Sequence, residues 1–210
     1  MVAYSNAGYT LLACAIEGAS GVQYDDYLRE HIFETAGMTN TRPNNVFEVI
    51  PGRARAYMVR TAANTEQWEG LWQDSHLSST RIDVPFNADP VDPSWSPGAG
   101  GYLTTPVDLV RFASALMDGR LLPVEYVARM TEPYRLASGE PVPRTHGWVL
   151  DEFQGRTVLQ VLGSDWNGSS GLWVLPADGF AIAVSTNKGF EQPGHLVEDL
   201  AQVWTRSIFR

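Results

Sequence analysis

Apolar residues recur at helical spacing over residues 7–17, where Tyr9, Leu12 and Ile16 fall on one face and Gly18 and Gly21 mark the stop. A second helical pattern over residues 24–36 carries Tyr27, Leu28, Ile32 and Phe33 as its buried stripe, and Gly37 stands where a left-handed cap belongs. Periodicity then fades. Residues 42–97 are punctuated by Pro43, Pro51, Pro85, Pro90, Pro93 and Pro97 and read as loop-rich. Within them Trp68 and Trp72 lie four apart and share a face if that stretch is helical, as core cover or as a cleft wall that packs substrate. The helical period returns at Thr105, a natural N-cap, with Pro106 first in the helix and Asp108 third. Leu109, Phe112, Ala113 and Leu116 form its apolar face up to Asp118 and Gly119.

The last third changes to short β-rich runs at residues 146–151, 156–162, 170–175 and 180–186, separated by turn residues such as Ala177-Asp178-Gly179. This predicts an antiparallel meander. A final helix over residues 194–208 carries Leu196, Leu200, Val203 and Trp204 on one side, suited to lie on that sheet. The fold class is α+β, one domain over residues 1–210, with residues 5–145 mainly helix and loop and residues 146–210 strands plus the final helix.

Composition narrows the function classes. A hydrophobic fraction of 44% with 19% charged residues suits a globular chain. The net charge of -9 argues against a nucleic-acid partner, which needs clustered cations. No apolar run approaches membrane-spanning length, and the first residues lack the basic-then-apolar plan of a signal peptide, so the chain as it stands reads as cytoplasmic. Cys14 is alone, excluding an internal disulfide, and its helical setting predicts a small buried group. Lys188 is the only lysine; any mechanism needing a lysine base has that one candidate.

Several motifs are more specific. Tyr4-Ser5-Asn6 runs directly into the first helix, Ala36-Gly37-Met38-Thr39-Asn40-Thr41 leaves the second, Gly100-Gly101 leads through Thr105 to Asp108-Leu109, and a strand pair runs from Val161 to Pro176 behind His146-Gly147-Trp148. Together these resemble the serine β-lactamase and penicillin-binding-protein family, including class C-related hydrolases and esterases, over the C-terminal two-thirds or so of its domain. The resemblance implies a β-lactamase/transpeptidase-like antiparallel sheet flanked by helices (αβα), a helical and loop-rich subdomain beside it, and an N-terminal part missing. It also implies acyl transfer to a serine and hydrolysis of an ester, amide or β-lactam. In that family an activated hydroxyl, a positioned base and aimed hydrogen-bond donors share the work. Carried over by position, Tyr4 and Asn6 match the Tyr-x-Asn element. The Ser164 backbone N–H matches the oxyanion donor, and Val161, Gly163 and Asp165 border the substrate. Val161 stands where the family has a lysine or histidine.

The Ser-x-x-Lys nucleophile of that family precedes Tyr-x-Asn and has no counterpart on a helix here. Ser185-Thr186-Asn187-Lys188 has the spacing but closes a strand, whereas the motif works on one helix face. His31, His76, His146 and His195 are scattered, with His31 and Glu34 reading as a solvated pair; no metal or other cofactor is expected. Two readings stay open: a hydrolase whose nucleophile lies upstream, inactive as this chain alone, and a non-catalytic relative that binds a ligand or partner. Either way an exposed apolar face and an open sheet edge are expected, with homo-oligomers as their consequence.

Overall fold

The computed structural model describes residues 3–67, 81–89 and 91–208. Trp68, Trp72 and His76 lie outside the described residues. Helix α1 spans Asn6–Ser20; the Ser5 hydroxyl caps it by accepting from the Gly8 N–H at 3.1 Å, and Gly21 closes it at φ 72°. Helix α2 runs from Tyr24–Leu28 through a π-turn at Arg29–Phe33 to Glu34–Ala36, with Gly37 as the left-handed cap at φ 72°. The 42–103 stretch holds four short strands, β1 (Arg42–Pro43), β2 (Tyr57–Val59), β3 (Pro85–Asn87) and β4 (Tyr102–Leu103), paired antiparallel as β1–β4 and β2–β3, with α3 (Ala62–Gln67) between β2 and β3.

Helix α4, Pro106–Met117, starts as the sequence predicts: Thr105 Oγ1 accepts from the Asp108 N–H at 3.1 Å and Pro106 occupies the first turn. After α5 (Val124–Arg129), strands β5 (Val149–Phe153), β6 (Arg156–Ser164), β7 (Ser169–Leu175) and β8 (Phe180–Thr186) form one antiparallel sheet in that order, and α6 (Gly194–Ile208) follows. Leu159, Leu172 and Val174 face α4 and α5, packing with Ala113, Leu116 and Val127. On the opposite face Val158, Trp173, Leu175 and Ile182 pack against Val197 and Ala201 of α6. The result is the αβα layering of a β-lactamase/transpeptidase-like fold.

Three side-chain expectations are corrected. Leu196, Leu200 and Val203 of α6 are exposed, and the helix instead presents Val197 and Ala201 to the sheet. The reason is Gly171 of β7, where an added Cβ would stand 2.9 Å from Val197 Cγ2; the missing side chain draws that flank of the helix inward. Trp204 does reach the sheet, stacking on Phe180 at 3.9 Å. Cys14 is exposed and Ala13 is the buried residue, because the loop at Gly98 meets α1 at Tyr9 and Ala13. His31 and Glu34 do not pair: Glu34 accepts from Arg29 at 2.9 Å and the His31 ring lies 4.3 Å from Tyr27.

Tyr102 of β4 donates to Asp25 of α2. Burial, then the Asp25 hydrogen bond and charge, push its phenol above the ordinary tyrosine range; Tyr24 is raised by burial and by Asp25 as well. A raised folded-state value means this contact contributes fully below pH ~10, the unfolded tyrosine value, and is lost as pH climbs through the higher folded value. Ultraviolet titration should therefore show late-ionising phenol, and Tyr102→Phe should remove part of that late component. An unchanged late component in the variant would contradict the contact.

Candidate active site

Tyr4 precedes α1 and is 79% exposed; its hydroxyl donates to Asn6 Oδ1 at 2.7 Å. Asn6 is the first residue of α1, so the helix start holds the acceptor in place, with Ser5 occupied as cap. Helix α1 is seated by the 96–98 loop, where Thr10 Oγ1 and Ser96 Oγ lie 3.3 Å apart and Gly98 approaches the Tyr9 carbonyl. The arrangement presents a phenol to solvent with its proton directed at a carboxamide oxygen.

The second group of predicted residues lies at the end of β6. Val161 pairs with Leu172, Gly163 with Ser170 and Ser164 with Ser169 of β7. Val161 is 40% exposed, so an isopropyl group faces outward where the resemblance implies a charged or imidazole side chain. Asp165 shapes the β6–β7 turn: its Oδ1 accepts from the Asn167 N–H at 2.7 Å and the Gly168 N–H at 3.1 Å. Its backbone carbonyl accepts from Phe190 N–H at 3.0 Å.

Around that turn the chain adds Ser169, Glu191 and Tyr57, which the sequence did not single out, to Ser164 and Lys188, which it did. Ser169 is buried, shares a 2.8 Å hydrogen bond with Ser164 Oγ, donates to the Lys188 carbonyl at 3.2 Å and accepts from the Glu191 N–H at 3.0 Å. Tyr57 and Asn187 close the same corner, with Tyr57 N–H donating to the Asn187 carbonyl at 2.8 Å and Asn187 Nδ2 to the Arg55 carbonyl at 2.8 Å. The Gly168-Ser169-Ser170-Gly171 run was a visible signal, but only the fold shows that Ser169 is its hub. Lys188 forms an ion pair with Glu191 just past β8.

Among the described residues no hydrogen bond or ion pair joins Tyr4 or Asn6 to residues 161–165. A cleft of about 360 Å³ lies elsewhere, between Asp25, Asn44, Asp92, Pro97 and Tyr102, and includes none of the predicted site residues. No group of three or more histidine, cysteine, aspartate or glutamate side chains suited to a metal ion occurs among the described residues. Among them, too, no helix is long and apolar enough to cross a membrane.

A family model described as Beta-lactamase matches residues 1–203. The chain belongs to the beta-lactamase family. A penicillin-binding protein of Bacillus subtilis (strain 168) is 29% identical over 175 residues, covering 83% of this chain and 37% of that protein. The mitochondrial serine beta-lactamase-like protein LACTB of Homo sapiens is 33% identical over 116 residues, covering 55% of this chain and 17% of that one. Among solved structures, the D-amino acid amidase of Ochrobactrum anthropi SV3 superposes with a TM-score of 0.77 at 28% identity, over 99% of this chain and 60% of its own. This beta-lactamase-family chain thus spans about two-fifths of the Bacillus relative and three-fifths of the amidase. The αβα sheet is the fold this chain shares with the amidase.

Proposed function

We propose that Tyr4 with Asn6 and the wall from Val161 to Asp165 are two borders of a serine acyl-transfer site for an ester, amide or β-lactam, and that these residues alone do not turn substrate over. In this reading Tyr4 handles the leaving-group proton, the Ser164 backbone N–H faces the developing oxyanion, and Val161, Gly163 and Asp165 border the substrate. The observation that carries the lack of turnover is the placement of Lys188. It is the only lysine, and it is held by Glu191 past the end of β8. Ser185 lies on the strand, and positions three apart on extended chain point to opposite faces, so this pair lacks the shared helix face that serine activation by lysine requires.

The relatives support the reaction class: one is named a penicillin-binding protein and one an amidase for D-amino acids. The outward-facing Val161 favours a second reading, a ligand-binding relative that keeps the scaffold without the charged group. Incubating the purified chain with a fluorophosphonate and with a fluorescent penicillin separates the readings. No stoichiometric labelling is expected from either probe. Reversible penicillin binding by calorimetry without labelling would favour the binding module, and stoichiometric modification of one of the chain's own serines would show that the chain carries its own nucleophile and overturn the proposal. For assembly, a penicillin-binding protein homologue from Pyrococcus abyssi is octameric, which is in keeping with self-association of this chain.

A further inference from the structure

The cleft of about 360 Å³ between α2, the chain after β1 and the 92–102 segment has the size of a small-ligand site. Its walls are tied to one another within the chain. The Asn44 N–H donates to the Gly101 carbonyl at 2.8 Å, and the Tyr102 hydroxyl donates to Asp25. Gly101, at φ 86°, seats the 92–97 loop against β4, since an added Cβ there would stand 2.9 Å from Pro93 Cβ. Asn44 is the outlier of this wall. It is only 8% exposed, and its Oδ1 accepts from Arg53 Nη1 at 3.4 Å, which fixes which end of the carboxamide is nitrogen. Among the described residues nothing accepts from Asn44 Nδ2, so a buried side chain that lines the cleft keeps two N–H donors unmet. Buried donors are nearly always satisfied, and these two have only the cleft to supply an acceptor.

Two carboxylates line the same cleft, and among the described residues neither forms an ion pair. Asp25 accepts from the Tyr102 hydroxyl, and Asp92 accepts from the Ser94 N–H at 3.0 Å and the Ser94 hydroxyl at 2.9 Å, all neutral donors. Carboxylates of one sign in a concave, partly apolar wall draw a cation. Phe47 also lines the cleft; its N–H donates to Asn45 Oδ1 at 2.9 Å, and its ring is 88% exposed. We propose that this cleft binds a small primary amine that also carries a carbonyl oxygen, with the ammonium held by Asp25 and Asp92 and the carbonyl oxygen accepting from Asn44 Nδ2. The apolar part of the ligand then lies against Pro43, Pro93 and Phe47. A metal ion fits this lining less well, because Asn44 turns its oxygen to Arg53 and would meet the metal with N–H. Both carboxylates oppose an anion, and an amine without the carbonyl leaves Nδ2 unmet. The inference rests on no part of the acyl-transfer reading, since none of that reading's residues lines the cleft.

The test is isothermal calorimetry of the full chain with phenylalaninamide, which carries an ammonium, a carbonyl and a phenyl ring, with melting curves to show that each variant folds. One saturable site is expected, with a dissociation constant on the order of 1 mM. Phenethylamine, which lacks the carbonyl, should bind about fivefold more weakly, and N-acetylphenylalaninamide, which lacks the charge, about tenfold or more. Asp25→Asn and Asp92→Asn should each weaken phenylalaninamide by about fivefold or more. Asn44→Leu should bring phenylalaninamide down to the level of phenethylamine and leave phenethylamine itself unchanged, a split that loss of folding could not mimic. Glu140→Gln, at an exposed acid outside the cleft, should change nothing, which separates the site from a general pull of the chain's net charge of -9. The absence of saturable heat, equal binding of the acetylated probe, or an affinity indifferent to both aspartate variants would each overturn the proposal. So would saturable binding of calcium alone that the same two variants abolish. If Asn44→Leu fails to fold, the comparison of phenylalaninamide with phenethylamine and the aspartate variants decide.

Discussion

Asp108→Ala should lower folding stability by about 3 kcal/mol, mainly because a buried carboxylate leaves its donors behind. Asp108 is 0% exposed. Its Oδ2 accepts from the Asn40 N–H at 2.7 Å and the Thr41 hydroxyl at 3.0 Å, and its Oδ1 accepts from Arg111 Nη1 at 2.8 Å. One side chain therefore ties the exit of α2 to the first turn of α4, while its own N–H is capped by Thr105. Arg111 is half exposed and can return to water; the Asn40 amide and the Thr41 hydroxyl are the groups that lose most. Asp108→Asn should cost roughly half as much, since the remaining carbonyl oxygen can still accept from one side and the amide nitrogen cannot accept at all. Urea unfolding monitored by tryptophan fluorescence and by circular dichroism measures both, with coincidence of the two probes as the check on a single transition. A loss below about 1 kcal/mol for the alanine variant would show that these hydrogen bonds do not hold the two helices together.

Asp108 also marks the boundary of what the sequence makes legible. Its place in the third helical position after a Thr-Pro start is visible in one dimension, because capping chemistry is local. Its partners at residues 40 and 41 are not, because they come from a loop sixty-seven positions away in the chain. The same division holds elsewhere. The β7–β8 hairpin was readable from Ala177-Asp178-Gly179, where Gly179 supplies a left-handed φ of 61°. The orientation of α6 was not, since Leu196 and Leu200 make as good an apolar face as Val197 and Ala201 until Gly171 selects the smaller pair. The short ladders β1–β4 and β2–β3 lay hidden in a proline-punctuated stretch because two or three residues carry no period. At the candidate site, Tyr4, Asn6 and residues 161–165 were reachable only through their resemblance to a family, and Ser169 escaped because a serine's burial depends on the strands folded around it.

Gly98→Ala should cost about 2–4 kcal/mol, and a matched control separates its two causes. Gly98 adopts φ 80°, so any side chain there meets the left-handed penalty of roughly 1–2 kcal/mol. An added Cβ would also stand 2.6 Å from the Tyr9 carbonyl oxygen and 2.9 Å from Ala13 Cβ. The first contact is with helix backbone, which cannot rotate aside as a side chain can, so α1 must shift or the 96–98 loop must lift. Gly52 has nearly the same backbone, φ 77°, with no atom within 4 Å of an added Cβ. Gly52→Ala should therefore carry the conformational part alone, and the difference between the two variants measures the close approach. Because α1 begins at Asn6, a shifted helix also moves the acceptor of the Tyr4 hydroxyl, so the Gly98 variant should disturb the candidate site while the Gly52 variant leaves it as it is. Equal losses in the two variants would mean that the loop does not seat α1, and the placement of Tyr4 and Asn6 would then need another support.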